Sequence, residues 1–187
     1  AYPFFYNAAV HEFTRQSTGD ALVWARSGWA GSQRHPIHWG GDATSNYANL
    51  AAQITGALNL GLSGFTFWSS DIAGISGEPT PRLYVRWAQF GMLCTHVRFH
   101  SGYPVEPWHY GDEAEQIVHD WIDLRYRLLP YLYAQSKRSA GNGLPLMRPL
   151  CLQWPTDRNV RDMDDQYLLG DDLLVAPLLS DADQRDV

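Results

Sequence analysis

One short stretch, from Ile37 to Asp42, combines residue types that could carry out sugar chemistry. Its sequence, IHWGGD, predicts a strand that ends in a tight turn and presents a carboxylate beside an indole ring. A glycosidase needs a carboxylic acid whose pKa is raised by partly apolar surroundings, and a flat ring on which the sugar can pack. Asp42 and Trp39 could supply both. The alternative is that Gly-Gly-Asp is a polar loop in which Asp42 lies close to capping the next helix.

The rest of the chain alternates helices with short strands. Apolar periodicity predicts helices over 4–16, 46–60, 82–93 and 112–140, with Gly61 closing the second and Pro130 able to kink the last. Strands are predicted at 21–27, 37–39, 64–70 and 95–99, and a further strand over 173–179. This order favours parallel strands joined by helices, either in a doubly wound sheet or in a closed barrel.

The predicted strand ends favour the barrel. Arg26, Asp42, Asp71 and His100 each lie at or just past the carboxyl end of a successive strand, where a (β/α)8 barrel collects its catalytic groups. A doubly wound sheet often carries a Gly-rich phosphate turn, which this sequence lacks. Four strands are half of what a barrel needs, so the predicted fold is an α/β fold containing half of a barrel.

Composition indicates a globular protein and narrows the choice of partners. The 187 residues are 45% apolar and 13% aromatic, which is sufficient for a large hydrophobic core. The net charge is −6 without a basic run, and no apolar run could span a bilayer, so we expect neither a nucleic-acid nor a membrane partner. Cys94 and Cys151 lie far apart in apolar surroundings, which predicts buried free thiols. The residues do not determine a compartment, although a cytoplasmic one is favoured.

Several histidines raise the alternative of a metal site. His96 and His100 are four residues apart, and His35 and His38 lie close to Asp42. The first spacing suits a helix, but that segment is predicted to be a strand and a turn. No cysteine or acidic cluster completes either group. We therefore expect no metal and no cofactor.

The two ends of the chain suggest an excerpt. The chain begins Ala1-Tyr2-Pro3 without an initiator Met, and it stops at Val187 soon after the last predicted strand. We expect a longer polypeptide from which these residues are taken.

Six segments together resemble glycoside hydrolase family 31, a family of retaining α-glycosidases built on a TIM barrel. The segments are WAGSQR at 29–34, HWGGD at 38–42, FWSSDIAG at 67–74, RFH at 98–100, MRP at 147–149 and YLLGD at 167–171. They follow the family's order and spacing over nearly the whole chain, whereas any one of them alone would be weak. The resemblance implies that residues 1–154 form the C-terminal half of the catalytic (β/α)8 barrel, strands 5–8. Residues 155–187 would then begin the proximal C-terminal β-sandwich.

The resemblance also implies roles for individual residues. Asp42 matches the general acid/base, and Arg26 matches an arginine that hydrogen-bonds the bound sugar near the nucleophile. Trp39 matches an aromatic wall, and His100 matches a histidine that contacts ring hydroxyls of the sugar. Asp71 matches an acid with a structural role behind these contacts. Taken without the resemblance, Arg26 could instead form a structural ion pair with a loop acid, and Trp39 could belong to the core.

One expected residue is missing. The family's nucleophile is an aspartate at the end of the fourth strand and should precede Arg26. The acids before Arg26 are Glu12, on a predicted helix, and Asp20, in a turn before a strand. A retaining mechanism needs two carboxyl groups about 5 to 5.5 Å apart. We therefore expect this chain to carry the acid/base without the nucleophile and to be inactive alone.

The substrate is expected to be an oligosaccharide or a small α-glycoside. The form His-Trp-Gly-Gly-Asp resembles the α-xylosidase branch of the family, so hydrolysis of α-xylosides is the main prediction and α-glucosidase activity the alternative. Ile75 is the expected contribution of this chain to the pocket that admits or excludes a hydroxymethyl group at C5. A non-catalytic carbohydrate-binding relative is a third hypothesis. The full-length protein could form homo-oligomers.

Overall fold

The computed structural model describes residues 1–187 and contains five α-helices and seven short β-strands. The helices are α1 (Tyr2–Thr18), α2 (Tyr47–Leu62), α3 (Pro81–Met92), α4 (Asp112–Asn142) and α5 (Leu150–Gln153). The strands are β1 (His38–Trp39), β2 (Trp68–Ser69), β3 (Asp71–Ile72), β4 (Arg98–Phe99), β5 (Met147–Pro149), β6 (Tyr167–Leu169) and β7 (Leu173–Val175). Short 3-10 turns occupy Ser32–Arg34 and Pro107–Tyr110. None of the helices has both the length and the apolar character that crossing a membrane requires.

Local sequence signals explain where the helices begin and end. The side chain of Asn46 accepts a hydrogen bond from the backbone N–H of Asn49, which caps α2. Thr80 does the same for α3 by accepting from the N–H of Leu83. At the C-terminus of α1, Gly19 adopts a left-handed conformation with φ of 86°, which ends the helix. The four predicted long helices are therefore confirmed within a few residues.

The strands of the first part of the chain are parallel. β1 pairs with β2, and β3 pairs with β4, both in parallel register. Before β1, Ala25 forms a parallel bridge with His38. Neighbouring strands along the chain are thus neighbours in space and are joined by helices, which is the arrangement that the alternating pattern predicted.

Four predicted strands are shorter in the structure. The strand predicted at 21–27 reduces to one bridged residue, Ala25, which pairs with His38. The strand predicted at 64–70 shortens to β2, and β3 begins just after it, beyond Ser70, and pairs with a different neighbour. The predicted strands at 95–99 and 173–179 shorten to Arg98–Phe99 and Leu173–Val175.

Gly61 does not close α2 as the sequence predicted. It lies inside the helix, which continues to Leu62. A Cβ at position 61 would lie 3.1 Å from the Cβ of Pro145 and 3.4 Å from the backbone oxygen of Met147. The glycine therefore serves the close approach of β5 to α2, which is a packing reason that local sequence does not reveal.

The core lies between the parallel strands and the helices that cover them. Its largest fully buried side chains include Trp87, Tyr84 and Phe90 on α3, Leu50 and Ile54 on α2, and Ile72 on β3. The indole N–H of Trp87 donates to the hydroxyl of Ser70 at 3.0 Å, so the only polar group of this buried ring has a hydrogen-bond partner. Cys94 is a buried free thiol as expected, whereas Cys151 is free but only partly buried.

Arg125 ties α4 to the end of α3. Its guanidinium is buried and donates to the backbone oxygens of Met92, Cys94 and Thr95, with the Met92 and Thr95 contacts at 2.9 and 2.8 Å. These carbonyls lie at and just after the C-terminus of α3, where partial negative charge accumulates. The cation therefore satisfies carbonyls that the helix itself cannot, just before the chain enters β4.

The last part of the chain forms an antiparallel sheet. β6 lies between β5 and β7 and pairs antiparallel with both. β5 precedes residue 155 and β6 and β7 follow it, so this sheet draws on both sides of the boundary predicted from the sequence.

The first testable prediction concerns the packing of α3 on β3. A Cβ at Gly91 would lie 2.5 and 2.6 Å from two side-chain carbons of Ile72. Gly91→Ala is therefore expected to lower the free energy of unfolding by about 1 to 3 kcal/mol through overpacking. Gly56→Ala is the matched control, because a Cβ at that helical position meets nothing within 4 Å. It should stabilise the chain by about 0.5 to 1 kcal/mol in urea denaturation. Equal effects of the two substitutions would contradict this account.

The second prediction concerns two histidines, His38, which is buried, and His96, which is partly buried. Burial lowers the pKa of His38 to about 4 and that of His96 to about 3, and Nε2 of each ring is buried without a hydrogen-bond partner. An unfolded chain takes up protons on these rings below about pH 6.5, while the folded chain does not. Stability is therefore complete above that pH and falls as the pH decreases towards 4.

The unfolding free energy of the unaltered chain should fall between pH 7 and pH 5. His96→Gln should make that fall smaller by up to about 2 kcal/mol, as measured by urea denaturation at both pH values. His119→Gln on α4 is the control, because that side chain is 65% exposed. An unchanged pH slope in the His96 variant would refute the assignment.

Candidate functional site

The candidate site lies where the parallel strands end. Trp39 ends β1 and is followed by Gly40, Gly41 and Asp42, while β3 begins with Asp71. The parallel register sets Trp39 opposite Ser69 and Asp71 opposite Arg98. Because parallel strands end at a common edge, the groups predicted from the sequence are brought to one rim.

The two glycines before Asp42 have different tasks. A Cβ at Gly40 would lie 2.7 Å from a ring carbon of Trp68, so this glycine lets β1 pack closely on the core. Gly41 has φ of 76°, and a Cβ there would lie 2.6 Å from Nε of Arg26. The second glycine is required both by its backbone conformation and by the space that the guanidinium occupies.

Asp42 forms an ion pair with Arg26. The Oδ2 atom of Asp42 accepts a hydrogen bond from Nη1 of Arg26 at 3.0 Å, and the two side chains are 54% and 57% exposed. The expected partly apolar surroundings of the acid are therefore not found within this chain. Such an exposed pair contributes only about 0 to 1 kcal/mol to stability, so the guanidinium can leave the carboxylate at small cost.

Backbone hydrogen bonds join the loops that follow β1 and β3. The N–H of Ile75 donates to the oxygen of Ala43 at 2.8 Å, and the N–H of Ser45 donates to the oxygen of Ser76 at 2.7 Å. The oxygen of Ile75 accepts from the N–H of Gly102, in the loop after β4, at 3.1 Å. Ile75 is thus held at the rim from both sides, with its side chain partly buried.

Asp71 and Arg98 form an ion pair at the rim whose carboxyl is buried. The Asp71 side chain is 1% exposed, its Oδ1 accepts a hydrogen bond from Nε of Arg98 at 2.7 Å, and Nη2 of Arg98 lies 2.6 Å from the same oxygen. Burial raises the pKa of the Asp71 carboxyl, while the Arg98 hydrogen bond and charge act to lower it. His100 also lowers this pKa and Asp42 raises it, so both lie near enough to act on Asp71 electrostatically.

Arg98 and Trp24 are members of the site that the sequence reasoning did not select. The guanidinium carbon of Arg98 lies 5.2 Å from the ring centroid of Trp24 and 5.1 Å from that of Trp39. Alternation along a strand could have found them, because Trp24 is two residues before Arg26 and Arg98 is two residues before His100. Side chains at that spacing share one face.

The remaining predicted residues complete the rim. His100 follows β4 and is exposed, and Trp39 is partly buried with its indole N–H in a buried position without a partner. No group of three or more His, Cys, Asp or Glu side chains suitable for a metal occurs in residues 1–187. Beside Arg26 and Trp39 opens a mostly apolar cleft of about 550 Å³, whose opposite wall is the first half of α1.

The comparisons with known proteins assign both parts of the chain. The model described as the TIM-barrel domain of glycosyl hydrolases family 31 matches residues 1–135, and the model of that family's C-terminal domain matches residues 143–187.

Three relatives illustrate the range of similar proteins. An alpha-xylosidase of Emericella nidulans is 43% identical over 184 residues, which are 96% of this chain and 24% of the relative. The neutral alpha-glucosidase AB of Homo sapiens is 38% identical over 95% of this chain and 19% of its own length. The crystal structure of a family 31 alpha-xylosidase from a soil metagenome, complexed with xylose, has a TM-score of 0.92 and 32% identity. That match covers 98% of this chain and 31% of the solved chain.

The chain spans about a quarter or less of the length of these curated relatives. Within that span the family's barrel model covers well over half of the residues, and the parallel strands place Asp42, Asp71 and Arg98 on one rim. This chain belongs to glycosyl hydrolase family 31.

Proposed function

We propose that this chain supplies the acid/base side of the active site of a retaining α-glycosidase, and that α-xylosides are its preferred substrates. The observation that carries the proposal is the position of Asp42. It follows the end of a parallel strand at an open rim, in contact with Arg26 and within electrostatic reach of Asp71. A proton donor for a glycosidic oxygen must be accessible in this way.

The proposed architecture is the second half of a barrel, strands 5–8, followed by the start of a β-sandwich. The exposed aromatic side chains of α1 support it, because Tyr2, Phe5, Tyr6 and Phe13 are 58–75% exposed. A further strand and helix, preceding Tyr2, would cover them and would fill the cleft beside Arg26. We place the boundary between the two units after α4, since β5 shares its sheet with β6 and β7.

In the first step, Asp42 gives its proton to the glycosidic oxygen while an aspartate from outside this chain attacks the anomeric carbon. The C–O bond to the leaving group breaks as the bond to the attacking carboxylate forms. Neither Glu12 nor Asp20 is suited to that attack, since Glu12 is bound to Arg15 on α1 and Asp20 lies in the turn after the helix.

In the second step, ionised Asp42 takes a proton from water, and the water oxygen displaces the carboxylate from the sugar. Arg26, through its charge, would help keep the attacking carboxylate ionised. Because the pair is weak, the guanidinium can also turn to a sugar hydroxyl or to the attacking carboxylate. His100 can donate to a ring hydroxyl without changing its charge.

The second part of the proposal is that the protein prefers α-xylosides to α-glucosides. The alpha-xylosidases among the relatives support it, and the neutral alpha-glucosidase AB is the reason to keep α-glucosidase as the second candidate. Ile75, held between the loops after β1 and β4, is the proposed residue of this chain that limits space near C5 of the sugar.

The third prediction tests Asp42 in the full-length parent protein. Asp42→Ala should lower kcat/KM by about 10²- to 10⁴-fold on α-glycosides with poor leaving groups, because protonation of the leaving oxygen is lost. The loss should be much smaller on activated aryl α-glycosides. Asp20→Ala is the control, an exposed acid in the turn after α1. The same loss on both classes of substrate would exclude a role as general acid.

The fourth prediction tests the substrate. The parent protein should hydrolyse an aryl α-xyloside with higher kcat/KM than the matching aryl α-glucoside. Ile75→Ala should shift the ratio about tenfold towards glucoside, since one extra carbon group in a pocket is worth roughly that factor. Leu62→Ala, at the exposed end of α2, should leave the ratio unchanged. A preference for glucoside in the unaltered protein would favour the α-glucosidase, and sugar binding without turnover would favour a non-catalytic relative.

A further inference from the structure

Arg98 lies at the centre of a cluster that the proposed catalytic steps do not use. Its guanidinium carbon lies 5.2 and 5.1 Å from the ring centroids of Trp24 and Trp39, and its Nε donates to Oδ1 of Asp71 while its Nη2 lies 2.6 Å from the same oxygen. The Trp39 ring belongs to the residue three positions before Asp42 on the same strand and turn. The cluster therefore links the strand that carries the acid to β3 and β4.

We propose that Arg98 is a positioning residue that fixes the ring plane of Trp39 as a wall for the sugar, with Asp71 holding the guanidinium in place. This inference rests on the proposed glycosidase function and on Trp39 as a sugar contact. Arg98 itself acts through Trp39 and does not need to touch the substrate.

The chemistry of the cluster requires an arginine. A guanidinium is planar and can present both faces to aromatic rings while its edge donates to a carboxylate. A lysine would keep the charge, but its compact ammonium could not lie against two indole rings and also present a planar edge to the carboxylate. Arg98→Lys thus separates the positioning role from the charge.

Asp71 explains why the guanidinium cannot rotate freely. The carboxyl is almost fully buried, its Oδ1 accepts a hydrogen bond from Nε of Arg98 and lies 2.6 Å from Nη2, and its Oδ2 is buried without a partner. Loss of Arg98 alone would leave this buried carboxyl without its cation, which is strongly destabilising. A second variant must therefore neutralise Asp71 at the same time.

Arg98 affects the reaction through one intermediate residue, Trp39. The sugar that packs on Trp39 must present its glycosidic oxygen to Asp42, and a misplacement of about 1 Å can reduce the rate about 100-fold. A Trp39 ring that is free to tilt would displace the sugar without changing the acid itself. The expected defect is thus in sugar placement and not in proton transfer.

The experiment compares Arg98→Lys and the double variant Arg98→Met with Asp71→Asn in the full-length protein, with folding verified by circular dichroism. Both variants should lose roughly 10- to 100-fold in kcat/KM, by the same factor on aryl α-xylosides with good and with poor leaving groups. Binding of xylose, measured by calorimetry, should weaken at least severalfold in both. Arg127→Lys, an exposed arginine on α4, is the matched control.

The outcomes separate the two proposals. Wild-type kcat/KM and xylose affinity in folded Arg98→Lys would overturn the positioning role, as would a loss confined to poor leaving groups. If the unaltered protein binds xylose but hydrolyses no aryl α-glycoside, the proposed hydrolase fails, and the xylose affinity of the variants still decides the role of Arg98. Absence of both binding and turnover in the unaltered protein overturns both proposals.

Discussion

The rim at the ends of the parallel strands depends on one ion pair whose carboxyl is buried. Asp71 begins β3 with its carboxyl withdrawn from water, and Arg98 begins β4 directly opposite it. Removing one partner of such a buried pair typically costs about 3 to 5 kcal/mol, because the other charge is left without compensation. The parallel register of the two strands is therefore specified by charge as well as by hydrophobic pattern, and the same pair sets the position of Trp39.

The covering elements follow from the constraint that parallel strands must be buried on their outer face. α3 approaches β3 closely enough that Gly91 has no space for a Cβ, and Trp87 on the same helix donates to Ser70 between β2 and β3. Arg125 on α4 then holds the backbone that leads into β4. Each of these contacts joins a helix to a strand end, so packing of the outer layer determines the geometry of the inner rim.

Sequence reasoning predicted the long helices and the parallel order well, because amphipathic periodicity and the alternation of helices with short strands can be read along the chain. Strand lengths were predicted poorly. The segment around Ala25 forms a single bridge, to His38, and the run 64–70 contains only the two-residue β2. Gly61 was interpreted as a helix end, whereas its reason is contact with Pro145 and Met147, which are distant along the chain.

The site was predictable to the extent that it lies at strand ends. Asp42, Arg26, Asp71 and His100 could be selected because acids, arginines and histidines after short apolar runs are conspicuous. Their partners could not be assigned, since the pairing of Arg98 with Asp71 and of Arg26 with Asp42 depends on which strands are neighbours. Trp24 carries no signal of its own in the sequence, because its place in the site depends on the Arg98 guanidinium that lies 5.2 Å from its ring centroid.

Because the Arg26–Asp42 contact is exposed, the strength of this ion pair depends on whether water or another molecule surrounds it. Electrostatic attraction between two charges increases several-fold when water around them is replaced by less polarisable matter. A sugar bound over Trp39 would replace water in this way. Its binding would strengthen the attraction between the guanidinium of Arg26 and whichever carboxylate is then ionised. The sugar over Trp39, more than the polypeptide around Asp42, would then determine how strongly the carboxylate and the guanidinium attract each other.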